Sequence, residues 1–551
     1  MLEAVESETL DGAWAAGFVS YEAAPGFDPS LSVFPARAGR VGVPAAWFGI
    51  FESAEEAAPV VPASPGAYTT TEWRSETDGH AYEAKVDVLR GLIAAGETYQ
   101  CNLTVRLRAA VTGDLAALYA DLASAQQAAY CAEIDTGRFA VLCASPELFF
   151  EWSGGQVTTR PMKGTAPRGR FPAEDDANAS ALLASEKDRA ENLMIVDLLR
   201  NDLGRVAAWG GVEVTRLFEL ERYTTVWQLT STVSARLRQG VGLVELFRAL
   251  FPSGSVTGAP KPRTTALIAG LEESPRGVYC GAVGFVAPQG HEPRARFSVP
   301  IRTATVDRRT GEAEYGTGSG ITWGSNAKSE AAELEVKSRI LTRLPELALV
   351  ETMAFLPGRG VRNVRRHMAR LGFSAGRLGF VLDEGAVSGA IEEATCGLVL
   401  PSRLRLTLTR AGEVDVKASA MPATGPVRLA VSDMPMDSSD LLVFHKTTLR
   451  EPYLTRAACH PQADDVVLVN ELGRPTETTI ANLLVRLDGR WWTPPIDAGC
   501  LPGVERGRLV ADGVVAERDL SLGDLTAADE LAVVSSLRGW RTAHLVTTAA
   551  G

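Results

Sequence analysis

Apolar residues recur at helical spacing in Leu89 to Ala95 and Leu115 to Ala129, while Val278 to Val286 and Phe297 to Val306 alternate with Gly and β-branched residues as strands do. The run Leu193 to Leu199 also reads as helix. Asp188 and Glu191 precede it at i, i+3, which puts both carboxylates on one face, and Glu330, Glu333 and Lys337 repeat the arrangement at i, i+3, i+7. Between these elements, Ala54 to Gly66 is rich in Ala, Pro and Glu and predicts a surface connection before a helix that starts near His80. At Leu341-Thr342-Arg343-Leu344-Pro345 a charged helix meets a proline and should stop. The pattern predicts an α+β chain of two domains, 1–344 and 345–551, with no long flexible linker and no internal repeat.

Composition narrows the class. A chain of 551 residues exceeds what one core organises. Its formal charge of −12 speaks against nucleic-acid and anionic-membrane binding. The start, Met1-Leu2-Glu3-Ala4-Val5-Glu6, has no basic region followed by an apolar core, and no run of about 18 apolar residues occurs, so a cytoplasmic protein is expected. Seven cysteines without a C-x-x-C spacing are expected to be thiols rather than a disulfide framework.

The candidate chemistry starts at Lys163, in Arg160-Pro161-Met162-Lys163-Gly164-Thr165, downstream of Ser145-Pro146-Glu147. A lysine among Pro, Gly and Thr belongs to no helix or strand stripe. A desolvated lysine near other cations loses its proton and becomes a nucleophile, so the pair suggests an amine nucleophile and a carboxylate acid serving one substrate. The two acidic helix faces, with a cation beside one of them, suit Mg²⁺, which takes one or two carboxylates and completes its shell from water and substrate. Gly316-Thr317-Gly318-Ser319-Gly320 offers backbone donors unobstructed by Cβ atoms, and its spacing is not that of a dinucleotide fingerprint.

Read in order, Tyr99-Gln100-Cys101-Asn102-Leu103-Thr104, Ser145-Pro146-Glu147, Pro161-Met162-Lys163-Gly164-Thr165, Glu191-Asn192-Leu193-Met194, Gly254-Ser255-Val256-Thr257-Gly258-Ala259-Pro260-Lys261 and Gly318-Ser319-Gly320 resemble the chorismate-utilising enzymes. Lys163 and the Tyr-Gln-x-Asn-Leu-Thr stretch fit the branch that forms aminodeoxychorismate. Anthranilate synthases typically carry Ala where Lys163 stands. The resemblance implies two large β-sheets with outer helices, Mg²⁺ at Glu191 and Glu333, and substrate carboxylate contacts from Lys337, Tyr279 and Arg302. It also implies that Thr257 and Gly258 shape the adjacent loop and stand among the substrate-binding residues, with Gly318 and Gly320. In the implied reaction Mg²⁺ neutralises the ring carboxylate, Lys163 attacks ring carbon 2, Glu147 protonates the departing 4-hydroxyl, and ammonia adds at carbon 4 as the lysine leaves. Glu147 must then carry a raised pKa. No cysteine lies in a Gly-x-Cys-x-Gly turn, so ammonia is expected from a separate glutamine amidotransferase subunit.

The last 200 or so residues carry other motifs. Phe444-His445-Lys446-Thr447-Thr448, Asn470-Glu471-Leu472-Gly473-Arg474-Pro475-Thr476-Glu477 and Gly499-Cys500-Leu501-Pro502-Gly503-Val504 resemble the fold-type IV pyridoxal-phosphate enzymes, which include aminotransferases and aminodeoxychorismate lyase. On that resemblance Lys446 binds the cofactor covalently, and Glu477 pairs with its ring nitrogen. Arg370, in His367-Met368-Ala369-Arg370-Leu371, and the Gly503-Val504 helix start would take its phosphate. The stretch Ala348 to Met353 follows helix directly, so the family's usual first strand is expected to be missing, and a homodimer through this domain would help close the site. Together the halves suggest 4-aminobenzoate synthesis from chorismate and ammonia in two consecutive steps. The alternative is an anthranilate synthase-like first domain followed by an aminotransferase or a non-catalytic module.

Overall fold

The computed structural model describes residues 1–35, 42–56, 67–341 and 347–546. Most of the expected connection at 54–66 and the expected helix stop at 341–345 lie outside the described residues. Contacts divide the chain into residues 1–168 with 177–344, and residues 169–176 with 345–551. Among the described residues no helix is long and apolar enough to cross a membrane.

The first unit is built on two antiparallel sheets of nine and eight strands. In the eight-stranded sheet the long strand Gln100–Gly113 pairs along its length with Glu312–Ile321, from Ile321 opposite Cys101 to Glu312 opposite Ala110. Residues 100–106 are buried at every position, because helices cover the strand's outer face there. One of these, Gly79–Ala94, begins where the Asp78 carboxylate accepts from Ala81 N at 2.8 Å, and it buries Tyr82, Val86 and Leu89 at i, i+4, i+7. Another, Ala327–Ser338, packs beside it through Leu334. The helix Leu115–Gln126 ends three residues before the stretch read from sequence, where Gln127 turns left-handed at φ 49°.

Two expected strands are interrupted. Val278 to Gly281 is a turn, with the strand starting at Ala282. The stretch 297–306 splits at Val299-Pro300-Ile301-Arg302 into Ala295–Ser298, in the nine-stranded sheet, and Thr303–Asp307, in the eight-stranded one. Proline lacks the ladder donor, and Arg302 adopts φ 55°, so the chain leaves one sheet and enters the other. Pro146-Glu147 makes the same passage in reverse, between Phe139–Ser145 and Leu148–Ser153. The two passages are laced together: Val299 N donates to Glu147 O at 3.0 Å, Ser145 Oγ to Val299 O at 2.6 Å, and Ala144 N to Arg302 O at 3.1 Å.

A buried ionic triad stands behind these passages. Glu272 receives Arg106 Nη2 at 2.8 Å and Arg276 Nη2 at 2.7 Å, and all three side chains are at most 2% exposed. Burial alone would raise the Glu272 pKa, but the two guanidinium groups reverse that and hold it below the ordinary carboxylate value.

The second unit opens directly on the strand Leu349–Leu356, in a four-stranded sheet, and continues into an eight-stranded sheet that contains parallel pairs. The helix Val364–Leu378 packs on that opening strand, burying His367, Leu371 and Leu378.

The triad makes a stability prediction. Glu272→Ala leaves two buried guanidinium groups unpaired and should lower the unfolding free energy by about 3–5 kcal/mol, read by urea titration of the full chain. A loss below about 1 kcal/mol would mean that the pair is solvated in practice.

Candidate active sites

In the first unit a cavity of about 310 Å³ takes its walls from both sheets, and Glu147, Lys163, Asp188, Glu191, Tyr279, Arg302, Gly318, Gly320, Glu330, Glu333 and Lys337 all line it. Thr257 and Gly258 do not. The Thr257 hydroxyl is used locally on Ser253 O at 2.9 Å, and Gly258, at φ 144°, lies so close to Gln100 O that a Cβ would stand 2.0 Å from it. They shape the wall from behind, while Ser255 and Val256 face the cavity.

Lys163 is not in a loop. It sits in the strand Met162–Pro167, whose pairing with Val226–Leu237 slips between Met162 and Thr165. That bulge, with Gly164 at φ 93°, frees the lysine from the ladder and turns it into the cavity. Its Nζ lies against Gly320, where a Cβ would come within 2.8 Å. The backbone is pinned by Asn192, which donates to Lys163 O at 3.2 Å and accepts from Ser231 Oγ at 2.6 Å. By exposed surface the lysine is only half-buried, since it borders open space, yet its amine is enclosed by the cavity walls. Burial, then the nearby Lys337 charge, lowers its pKa. Glu147, 3% exposed, is pushed up to about 7 by burial, which Ser255, Lys163 and Lys337 only partly offset. An acid able to give up a proton near neutrality and an amine able to be neutral therefore share one cavity.

The carboxylates come from two helices. Glu186–Gly204 carries Asp188 and Glu191, and its N-cap Ser185 receives Asp188 N at 3.2 Å. Glu191 accepts from Thr322 Oγ1 at 3.1 Å and has Lys187 at 3.8 Å; burial raises its pKa. On Ala327–Ser338, burial acts to raise Glu333, but Lys337, 2.5 Å away, leaves it below the ordinary value. Lys337 also donates to Gly318 O at 2.8 Å. Among the described residues no group of three or more His, Cys, Asp or Glu side chains could hold a metal by itself. The carboxylates facing this cavity are oxygen donors of the kind Mg²⁺ takes one or two at a time, with substrate oxygens and water in its remaining positions. The expected carboxylate ligand Arg302 is partly committed, donating to Lys337 O at 2.5 Å at the end of that helix. The Gly-rich segment 316–320 lies in a strand, where glycine is needed because the Tyr279 ring packs within 2.3 Å of a Cβ placed on Gly316.

In the second unit Lys446, Glu477, Arg370, Gly503 and Val504 line a cavity of about 320 Å³. Lys446 is lowered to about 8, by burial first and then by Arg370. Glu477 is raised to about 8 by burial. Its Oε2 accepts from Asn482 Nδ2 at 3.5 Å, and Asn482 also donates to Leu501 O at 3.0 Å. Gly503 caps the helix Val504–Ala511, and a Cβ there would stand 1.7 Å from Asn482 Oδ1. A lysine near neutrality, a buried carboxyl able to face a ring nitrogen, and an arginine beside a helix start form a donor set that fits pyridoxal phosphate. Sequence reading missed Glu351 and Arg450, which also order this cavity. Arg450 donates to Thr479 O and lies over the Tyr453 ring at 4.1 Å. It stands four residues after Lys446, which was its only signal.

Two cavities of this kind, one lined by carboxylates and cations on paired sheets and one built around a half-buried lysine, define a chain that joins two enzyme classes. Residues 1–343 match the chorismate binding enzyme family and residues 348–546 match the class IV aminotransferases, so the chain belongs to the chorismate binding enzyme family and carries a class IV aminotransferase domain after it. It is similar to aminodeoxychorismate synthase of Streptomyces griseus, at 44% identity over 278 residues, 50% of this chain and 38% of that protein. It is similar also to aminodeoxychorismate synthase component 1 of Escherichia coli (strain K12), at 39% over 276 residues, 50% of this chain and 60% of that one. The match thus spans less than two thirds of either curated relative. The solved anthranilate synthase component I from Streptococcus pneumoniae TIGR4 superimposes with a TM-score of 0.53 at 28% identity, covering 62% of this chain and 85% of that one.

Lys446 gives a pH prediction. Its folded pKa of about 8 lies below the ordinary lysine value, so below that pH folding must hold a charge in a poor environment, and stability rises as pH climbs from about 8 toward about 10.5. In cofactor-free protein, Lys446→Met should raise the melting temperature at pH 7, and the gain should vanish near pH 10.5. A gain that is constant with pH would show that the lysine is not desolvated.

Proposed function

We propose that the chain makes 4-aminobenzoate from chorismate in two steps, the first unit forming 4-amino-4-deoxychorismate and the second eliminating pyruvate from it. The observation that carries the first step is Lys163 turned by its bulge into the cavity that also holds Glu147. A neutral lysine amine attacks ring carbon 2 and forms a C–N bond. Glu147 gives its proton to the 4-hydroxyl, which leaves as water. Ammonia then bonds to carbon 4, and the C–N bond to Lys163 breaks with return of the amine. Lys337, Arg302 and Tyr279 supply positive charge and hydrogen bonds to the substrate's carboxylates. Mg²⁺, held by Glu191 and Glu333 with Asp188 and Glu330 nearby, would neutralise the ring carboxylate. Ammonia comes from a separate glutamine amidotransferase subunit, as the similarity to a synthase component 1 supports.

In the second unit pyridoxal phosphate, when bound at Lys446, supplies an electron sink. Lys446, once its amine is free of the cofactor, would remove the ring proton and return it to the departing enolpyruvate carbon, and Glu477 would hold the cofactor's ring nitrogen. Arg370, Gly503 and Val504 hold its phosphate. Aromatisation drives the elimination.

Product identification from chorismate, Mg²⁺ and ammonium tests both steps. The parent chain should release 4-aminobenzoate. Lys446→Ala should stop at aminodeoxychorismate, and Lys163→Ala should cut aminodeoxychorismate formation by at least about 10²-fold, the scale of losing a nucleophile or positioned proton donor. An ortho-aminated product, or full turnover by Lys163→Ala, would sink the assignment of the first unit.

Two further outcomes are expected. The rate of the first step should fall as pH rises through about 7, where Glu147 loses its proton. Glu191→Gln should weaken Mg²⁺ binding in a calorimetric titration and leave elimination from supplied aminodeoxychorismate unchanged. An unaltered titration would return Glu191 to an ordinary helix carboxylate.

A further inference from the structure

One end of the second unit's cavity is organised around a carboxylate that no step above uses. Glu351, 2% exposed on the strand Leu349–Leu356, accepts from Arg370 Nε at 2.8 Å and Arg370 Nη2 at 2.6 Å, a fork-on-fork pairing that fixes the plane of the guanidinium. Its Oε2 also meets His367 Nδ1 at 2.6 Å, and His367 Nε2 in turn meets Ser536 Oγ at 2.8 Å. The edge of Arg370 left over points to the turn before the helix Val504–Ala511, where Nη1 donates to Pro502 O at 3.3 Å. Asn363 closes the set, donating to Glu505 Oε2 at 2.7 Å on that same helix and to Ser536 Oγ at 3.4 Å.

The charge is on the wrong side for a simple anion site. A buried carboxylate a few ångströms from a bound phosphate repels it, and burial by itself disfavours the ionised form. Arg370 and His367 nevertheless hold Glu351 ionised, at about 2. A repulsive group is tolerated in such a place when the geometry it imposes gains more than its charge loses. Arg370 on a flexible stem would otherwise have several rotamers to lose on binding.

We propose that Glu351, with His367 behind it, is a positioning residue for the phosphate end of this cavity: it aims Arg370 at the Pro502–Val504 turn, so that recognition of the phosphate depends on a negatively charged residue. The inference rests on the reading that this unit binds pyridoxal phosphate.

The positioning and charge effects have opposite signs, which makes the test sharp. Equilibrium dialysis of the full chain would measure affinity for pyridoxal 5′-phosphate and for pyridoxal, which has the same ring and aldehyde without the phosphate. Glu351→Gln should weaken pyridoxal 5′-phosphate by about tenfold, the worth of one charge-assisted hydrogen bond, and leave pyridoxal within about twofold. In an Arg370→Ala background the same substitution should no longer weaken pyridoxal 5′-phosphate and should tighten it slightly, because the positioning effect goes with Arg370 and only the relief of charge repulsion is left. His367→Gln, which leaves the fork in place, should give a smaller loss of the same selectivity and stands in if Glu351→Gln fails to fold. Tighter phosphate binding in Glu351→Gln, or an equal loss for both ligands, would overturn the proposal. Failure of the parent chain to prefer pyridoxal 5′-phosphate over pyridoxal would instead remove the cofactor reading on which it stands.

Discussion

The first unit depends on one buried carboxylate. Glu272 is the meeting point of Arg106, from the long central strand, and Arg276, from the turn before Tyr279. Arg276 then donates to Val256 O at 2.6 Å and Asn102 O at 2.8 Å, and its guanidinium lies 4.5 Å from the Tyr21 ring centroid. Arg106 lies 5.5 Å from the Tyr279 ring centroid. Asn102, Val256 and Tyr279 all face the cavity. A charge cluster with no exposure to solvent thus sets where three separate walls of the site stand. Such clusters contribute little net stability relative to apolar packing, but they are intolerant of partial loss, which suits a scaffold that must hold one geometry.

Both cavities use the same device. Each encloses a lysine whose amine is brought toward neutrality by burial and by a neighbouring cation, Lys337 in one case and Arg370 in the other. Each also holds a buried glutamate raised by desolvation, Glu147 to about 7 and Glu477 to about 8. The two glutamates differ in what faces them: Glu147 stands beside a serine hydroxyl suited to proton exchange, and Glu477 beside an amide that fixes its direction. One physical cause, low local polarity, can therefore serve an acid in one unit and an orienting group in the other.

Much of this was legible from the chain because the site residues lie in short, ordered motifs with helical or turn spacing. That Asp188 shares a helix face with Glu191, and Glu330 with Glu333, follows from periodicity; that these faces turn toward a site came only with the family resemblance. The roles of Thr257 and Gly258 were harder, since a motif marks a segment and not the direction in which each residue points; both proved to be wall supports. The strand read across 297–306 failed because periodicity cannot tell a continuous strand from two strands in different sheets joined by four residues. Lys163 shows no strand stripe in the sequence although it lies in a strand, for a bulge has no sequence pattern beyond its glycine. Glu351 and the Arg106 arm of the Glu272 triad were invisible, because they join residues 19 and 166 positions apart whose pairing exists only once the sheets have formed; Arg276, four residues after Glu272, is the one partner that spacing could have offered.

The two passages between sheets carry a consequence for variation. Glu147 and Arg302 sit on connections of two and four residues whose backbones are hydrogen-bonded to one another, so neither has slack. A residue inserted or deleted there would move the acid relative to the lysine by about 3 Å, the rise of one extended residue, and no side-chain rearrangement could restore the reach. The count of residues at these two seams is therefore fixed by geometry, whichever side chains fill the sheets around them.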